Sequence, residues 1–212
     1  MTSESRLREE ICAIGGSLFE RGLTHGSTGN ISVRLPSGGW LMTPTGSSLG
    51  SLDPARLSKL NSSGKLISGD APTKEAFLHT TMYAERPKAG AVVHLHSTHS
   101  VAVSCLDGID CANCLPPITA YYAMRVGTLP LVPYFPPGDD ALAEAVGKLA
   151  SAHHAVLLAN HGPVVAGSSL SAATDAIEEL EETAKLFLLL KAHKIRPLTA
   201  TQINELRKRF PS

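Results

Sequence analysis

The chain has 212 residues, enough to bury a substantial core in one domain or two small ones. Nineteen Lys plus Arg balance nineteen Asp plus Glu, so no net field draws nucleic acid or an acidic membrane surface. No apolar run approaches the roughly 20 residues that span a bilayer, and the charged, polar residues 1–10 do not read as a secretory signal, so a cytoplasmic protein is expected.

Leu7, Ile11, Ile14 and Leu18 recur at helical spacing and predict a helix over 3–22, ended by Gly22. The turn-forming segment Thr24-His25-Gly26-Ser27-Thr28-Gly29-Asn30 leads into an alternating strand at 31–35. A Ser37-Gly38-Gly39 turn joins it to a strand at 40–43, and Pro44-Thr45-Gly46-Ser47-Ser48 is a polar loop. Residues 56–69 read as short strands around Ser62-Ser63-Gly64. Thr73 is the expected N-cap of a helix running to about Glu85, which places Glu75 in its first turn. An apolar strand at 91–96 contains His94-Leu95-His96, and a short helix follows over 97–106.

A Pro-rich loop carrying Tyr121 and Tyr122 precedes a strand at 129–134, and Pro136-Pro137-Gly138-Asp139 caps a helix over 140–151. A strand at 155–159 ends at Asn160-His161-Gly162, and a short strand occupies 164–166. A long amphipathic helix over 170–193 and a terminal helix over 200–209 close the chain. No repeat, linker or compositional break divides it, so residues 1–212 are expected to form one domain. Frequent hairpins without strict βαβ alternation predict an α/β fold, a three-layer α/β/α domain around a mostly antiparallel central sheet.

Cys111 and Cys114 form a C-x-x-C, but no second pair stands at knuckle spacing, so Cys12, Cys105, Cys111 and Cys114 are read as ordinary thiols. The histidines say more. In a strand, residues i and i+2 project to the same face, so His94 and His96 can share one ion while Leu95 enters the core. His161 follows a separate apolar strand; if the two strands are neighbours, it completes a three-histidine set with one position open, as a catalytic divalent metal requires. A carboxylate such as Glu75 can cap its own helix, or can shuttle protons if it lies beside that metal. Three segments can cradle a phosphate: Thr28-Gly29-Asn30, Thr45-Gly46, and Thr73-Lys74 at a helix start. Lys74 as a Schiff-base lysine is the less economical reading, since nothing points to a desolvated pocket around it.

In order along the chain, Gly26-Ser27-Thr28-Gly29-Asn30-Ile31-Ser32, Thr43-Pro44-Thr45-Gly46, Pro72-Thr73-Lys74-Glu75, His94-Leu95-His96-Ser97 and Asn160-His161-Gly162 resemble the class II aldolase/adducin family over roughly residues 5–190. The resemblance implies one zinc ion per chain, or another divalent metal, held by His94, His96 and His161, with Glu75 near enough to ligate it when substrate is absent. It implies a phosphate pocket lined by Thr28, Gly29, Asn30, Thr45, Gly46, Thr73 and Lys74. A tyrosine after the histidine strand is implied as proton donor, Tyr121 rather than Tyr122, and a homotetramer with active sites between subunits. The implied activity is that of a carbon–carbon lyase on a phosphorylated sugar acid: decarboxylation through a metal-stabilised enediolate, with aldol cleavage or epimerisation of a sugar phosphate as the alternative. A non-catalytic, adducin-like interaction domain is the remaining reading. Where fuculose-phosphate aldolases of this family have two serines before the glutamate, Thr73 and Lys74 stand here, which weakens the aldolase assignment.

Overall fold

The computed structural model describes residues 3–136 and 139–210. Helix α1 spans Ser3–Glu20 and is followed by strands β1 (Asn30–Arg34), β2 (Trp40–Met42), β3 (Ser58–Leu60) and β4 (Leu66–Ser68). Helix α2 (Ala76–Glu85) leads to β5 (Ala91–His94), then α3 (Thr98–Ser104) and α4 (Ala120–Arg125). The chain continues through β6 (Leu131–Val132), α5 (Asp140–Ala150), β7 (Ala155–Leu158), β8 (Gly162–Gly167), α6 (Leu170–Leu190) and α7 (Ala200–Arg209). The eight strands form one sheet in the order β4-β3-β2-β1-β5-β8-β7-β6. Every pairing is antiparallel except β6 with β7, so the sheet is mixed and mostly antiparallel.

Alternation along the central strands divides the core in two. Ile31, Val33, Ala91, Val93, Leu157 and Val165 pack with Ile11 and Leu18 of α1, Val103 of α3, Tyr122 of α4, and Ile177 and Leu180 of α6. Their alternates Val92, Val156, Leu158, Val164 and Ala166 pack with Leu78, Met82 and Tyr83 of α2 and with Leu142, Val146 and Ala150 of α5. Both faces of the sheet are therefore covered, which is why its central strands carry apolar side chains at consecutive positions. Each fully buried Ile or Leu contributes about 1.5–3 kcal/mol.

Several local expectations need correction. Thr73 is not the N-cap of α2: Glu75 occupies that position, without a side-chain cap of its own, and the Thr73 hydroxyl accepts a hydrogen bond from the Glu75 N–H at 3.2 Å. The strand expected to reach His96 ends at His94, where its partner β1 begins at Asn30. Tyr121 and Tyr122 lie in α4 rather than in a loop, because the Thr119 hydroxyl caps a helix there by accepting from the Tyr122 N–H. The strand expected at 129–134 shrinks to two residues, flanked by Pro130 and Pro133, whose rings supply no N–H for a ladder. Asp139 does cap α5, accepting from the Ala141 N–H; Pro137 and Gly138 of the expected cap segment lie outside the described residues.

Candidate metal centre and acid–base site

Pairing between β1 and β5 sets the floor of the site. Asn30 lies opposite His94 and Ser32 opposite Val92, so Asn30, Ser32 and His94 share the face that α2 covers. Buried Leu95 anchors the chain just past the strand end, leaving His96 to turn back toward His94. His161 arrives from the tight β7–β8 connection, in which Leu158 pairs with Gly162. Gly162 has φ +153°, and a Cβ there would stand 2.3 Å from the Leu95 carbonyl oxygen. Only glycine lets this backbone approach, and the approach carries His161 to the other two histidines.

The donor atoms converge. The imidazole Nε2 atoms of His94 and His96 are 3.0 Å apart, the Glu75 carboxylate lies 3.5 Å from His94 Nε2 through Oε2, and Oε1 lies 3.1 Å from His161 Nε2. All four ligand atoms fall within 4.8 Å of one another. Tetrahedral zinc with bonds of about 2.0–2.1 Å would set its ligand atoms roughly 3.3 Å apart. His94 Nδ1–H donates to the Pro163 carbonyl at 2.8 Å, which fixes the tautomer and turns the Nε2 lone pair into the cluster. Facing lone pairs and a carboxylate repel unless a cation stands among them. The donor set fits a divalent metal.

The electrostatics agree. Burial, then the neighbouring imidazoles, pull the His96 pKa down to about 3, and burial likewise lowers that of His94, so both rings offer neutral nitrogens. Burial would raise the Glu75 carboxyl, but the bonds from His161 and Asn30 outweigh it and hold the group well below the usual carboxylate range. Glu75 is an anion at neutral pH.

The three segments expected to cradle an anion adjoin a frame built on Thr43. Its N–H donates to the Ile31 carbonyl at 3.0 Å, its hydroxyl accepts from the Ile31 N–H at 3.2 Å, and its carbonyl accepts from the Thr73 N–H at 3.1 Å. Pro44 and Pro72 form a bridge beside it. The turn holding Thr28 and Gly29, the exposed pair Thr45 and Gly46, and the pair Thr73 and Lys74 are thereby linked through one hydrogen-bonded frame. Gly29, at φ +77°, has the His94 carbonyl 3.1 Å from where a Cβ would sit. Thr28 has its hydroxyl on the His25 carbonyl at 2.6 Å. Beside His96 and His161 opens a cavity of about 520 Å³, bordered also by His25, Thr98, Tyr134 and Asn160, a size suited to a small metabolite. Asn160 holds the left-handed conformation, φ 56°, next to His161.

The two tyrosines part company. Tyr121 is 58% exposed on α4, with the Arg125 guanidinium 5.4 Å from its ring centre. Tyr122 is fully buried in the core and its hydroxyl has no partner among the described residues, so as a proton donor to a substrate it has no route. His79 escaped the sequence reading altogether. It is fully buried, its pKa is pulled by burial to about 3, and it bonds both Asn30 and Ser32. The spacing Glu75, His79, Tyr83 is a helical i, i+4, i+8 stripe, and that was the signal available.

Comparisons with known proteins point the same way. Residues 9–188 match the Class II Aldolase and Adducin N-terminal domain. The 3-oxo-tetronate 4-phosphate decarboxylase of Escherichia coli strain K12 is 53% identical over 204 residues, covering 96% of each chain. The L-fuculose phosphate aldolase of Haemophilus influenzae is 35% identical over 192 residues, 89% of this chain and 85% of the aldolase. The crystal structure of YgbL from Escherichia coli superposes with a TM-score of 0.95 at 52% identity, covering 97% of this chain and 100% of YgbL.

Proposed function

The chain belongs to the class II aldolase and adducin family, and from that premise we propose that it is a metal-dependent carboxy-lyase converting 3-oxo-tetronate 4-phosphate to dihydroxyacetone phosphate and CO₂. The observation that carries this reading is the near-complete donor set, three imidazoles and one carboxylate within 4.8 Å, in a chain 53% identical to a decarboxylase of that name. His94, His96 and His161 would hold the metal, with Glu75 beside it, and a set of three imidazoles and a carboxylate suits zinc. When bound, that ion supplies Lewis acidity toward the substrate's ketone oxygen.

The chain's own groups do the rest. The frame of Thr28, Gly29, Asn30, Thr45, Gly46, Thr73 and Lys74 binds the phosphate and fixes the distance from it to the reacting carbon. The bond from C2 to the carboxylate breaks, its electron pair remains on the C2–C3 unit, and C2 then takes a proton. Glu75 is placed to relay that proton: an anion at rest, its partly exposed carboxylate would first take the proton from solvent water and then pass it to C2, and its position against His161 and His94 supports the role. Tyr121 is the second candidate; exposed on α4, it would serve a neighbouring subunit's site in a homotetramer. The four cysteines stand free, in keeping with a reducing, cytoplasmic setting.

An aldolase reading rests on the same site, since only the bond broken at C2 differs, and it draws support from the 35% identity to the fuculose phosphate enzyme. The deciding assay gives the metal-loaded protein 3-oxo-tetronate 4-phosphate in both C2 configurations, and follows CO₂ and dihydroxyacetone phosphate. Stoichiometric release of both is expected. Absence of CO₂, with aldehyde released from L-fuculose 1-phosphate instead, would replace the decarboxylase by the aldolase.

A further inference from the structure

Beneath Glu75 a line of polar side chains crosses back and forth between helix and strand. Glu75, His79 and Tyr83 lie on one stripe of α2, repeating about every 6 Å. Asn30 and Ser32 lie on one face of β1, repeating about every 6.8 Å. The two repeats nearly match, so the side chains interleave: Tyr83 Oη lies 3.0 Å from Ser32 Oγ, Ser32 Oγ 2.7 Å from His79 Nδ1, His79 Nε2 2.5 Å from Asn30 Oδ1, and Asn30 Nδ2 2.7 Å from Glu75 Oε2. Asn30, Ser32, His79 and Tyr83 are all buried.

With His79 neutral, as its full burial favours, one direction of donation satisfies every link. An ionised carboxylate only accepts, so Asn30 must present its amide N–H to Glu75 and its carbonyl to His79. That carbonyl needs a donor, which makes Nε2 the protonated nitrogen of a neutral His79 and leaves Nδ1 to accept. Ser32 then spends its single proton on His79 Nδ1, and Tyr83 must donate to Ser32. The anion at one end thus fixes every proton along the line.

We infer that this directed chain, Tyr83 to Ser32 to His79 to Asn30 to Glu75, is a positioning device for the reaction: it ties Oε2 of Glu75 and leaves Oε1 as the oxygen that exchanges a proton with substrate. His79 and Ser32 are positioning residues, since their side chains hydrogen-bond Asn30, Tyr83 and each other rather than the candidate metal ligands, and neither borders the open cavity. The inference rests on the proton role proposed above for Glu75. Asn30 acquires a task beyond the phosphate frame, because both ends of its amide are engaged. A purely structural zipper holding α2 in register on β1 is the competing account, and the two differ in what they predict.

The first test needs neither substrate nor variant. In metal-free protein labelled with ¹⁵N-histidine, the His79 ring should show the Nε2–H tautomer; the Nδ1–H tautomer, or a charged ring at neutral pH, would overturn the directed chain. The second test compares Ser32→Ala and His79→Gln with the parent. A drop in kcat of about ten- to a hundredfold is expected, the range found for groups that orient ligands around a metal, with KM and metal content near parental. Unchanged kcat in folded Ser32→Ala would sink the positioning role, as would a loss confined to the fraction of folded protein. If the parent itself fails to turn over the substrate, the decarboxylase reading falls while the tautomer result stands.

Discussion

Two carboxylates, Glu75 and Glu181, sit close to the same run of histidines and behave differently. Glu181 is 9% exposed and accepts four hydrogen bonds: from the N–H and Nδ1 of His99 at 2.9 and 2.7 Å, and from the N–H and hydroxyl of Ser100 at 2.8 and 2.6 Å. Burial would raise its pKa, and the bonds from Ser100 and His99 more than offset this and lower it. The same bonds satisfy the free N–H groups at the start of α3. Nothing is left for a reaction. Glu75 accepts one side-chain bond, from Asn30, while its other oxygen faces His161 at 3.1 Å and reaches that nitrogen only through a proton or a shared cation. A saturated anion holds structure together; an unsaturated one is available for chemistry.

Substitution by glutamine should separate the two. Glu75→Gln removes an acid–base group and should lower kcat by roughly 10²–10⁴-fold, with fold and metal content retained, as read by steady-state kinetics and elemental analysis. Full activity in that variant would refute the proton role and erase the distinction. Glu181→Gln is the mirror experiment. It turns an amide N–H toward donors already in place, and should cost on the order of 1.5–3 kcal/mol in denaturant unfolding. The kcat of the folded protein should stay close to parental. A kcat loss in Glu181→Gln without loss of stability would mean that this carboxylate also serves the site, through the helix that follows His96.

The sequence made one half of this contrast readable. His94 and His96 at strand spacing, a third histidine beside a glycine, and Glu75 near a helix start suggested a candidate donor set, the ordered family motifs singled it out, and the structure brings the four side chains together. The relation between Glu75 and His94 needed the β1–β5 register, a long-range fact that local spacing does not contain. Glu181 lay inside a run of glutamates on an amphipathic helix, where one buried carboxylate looks like its solvated neighbours Glu178 and Glu182. The chain through His79 was hidden similarly: one histidine inside the apolar segment Phe77-Leu78-His79 reads as core. Helix and strand lengths came through best where apolar periodicity was long, as in α1 and α6. They failed where a single side chain decided the matter, as Thr119 does at the start of α4.

A third carboxylate extends the contrast to its weak end. Glu178 lies one turn before Glu181 on α6 and pairs with Arg21, whose Nη1 donates at 2.9 Å while Nη2 meets the other oxygen. The geometry is bidentate, yet the side chains are 48% and 28% exposed, so water and salt screen what the contacts would otherwise contribute. Arg21→Ala should therefore cost only about 0–1 kcal/mol, shrinking further as salt is raised in the same unfolding experiment. A salt-independent loss of roughly 3–5 kcal/mol is what a broken buried pair shows. Finding it here would mean that this edge of α6 is shielded from water in the protein as it exists in solution, and exposure in a single chain would then no longer rank these three carboxylates.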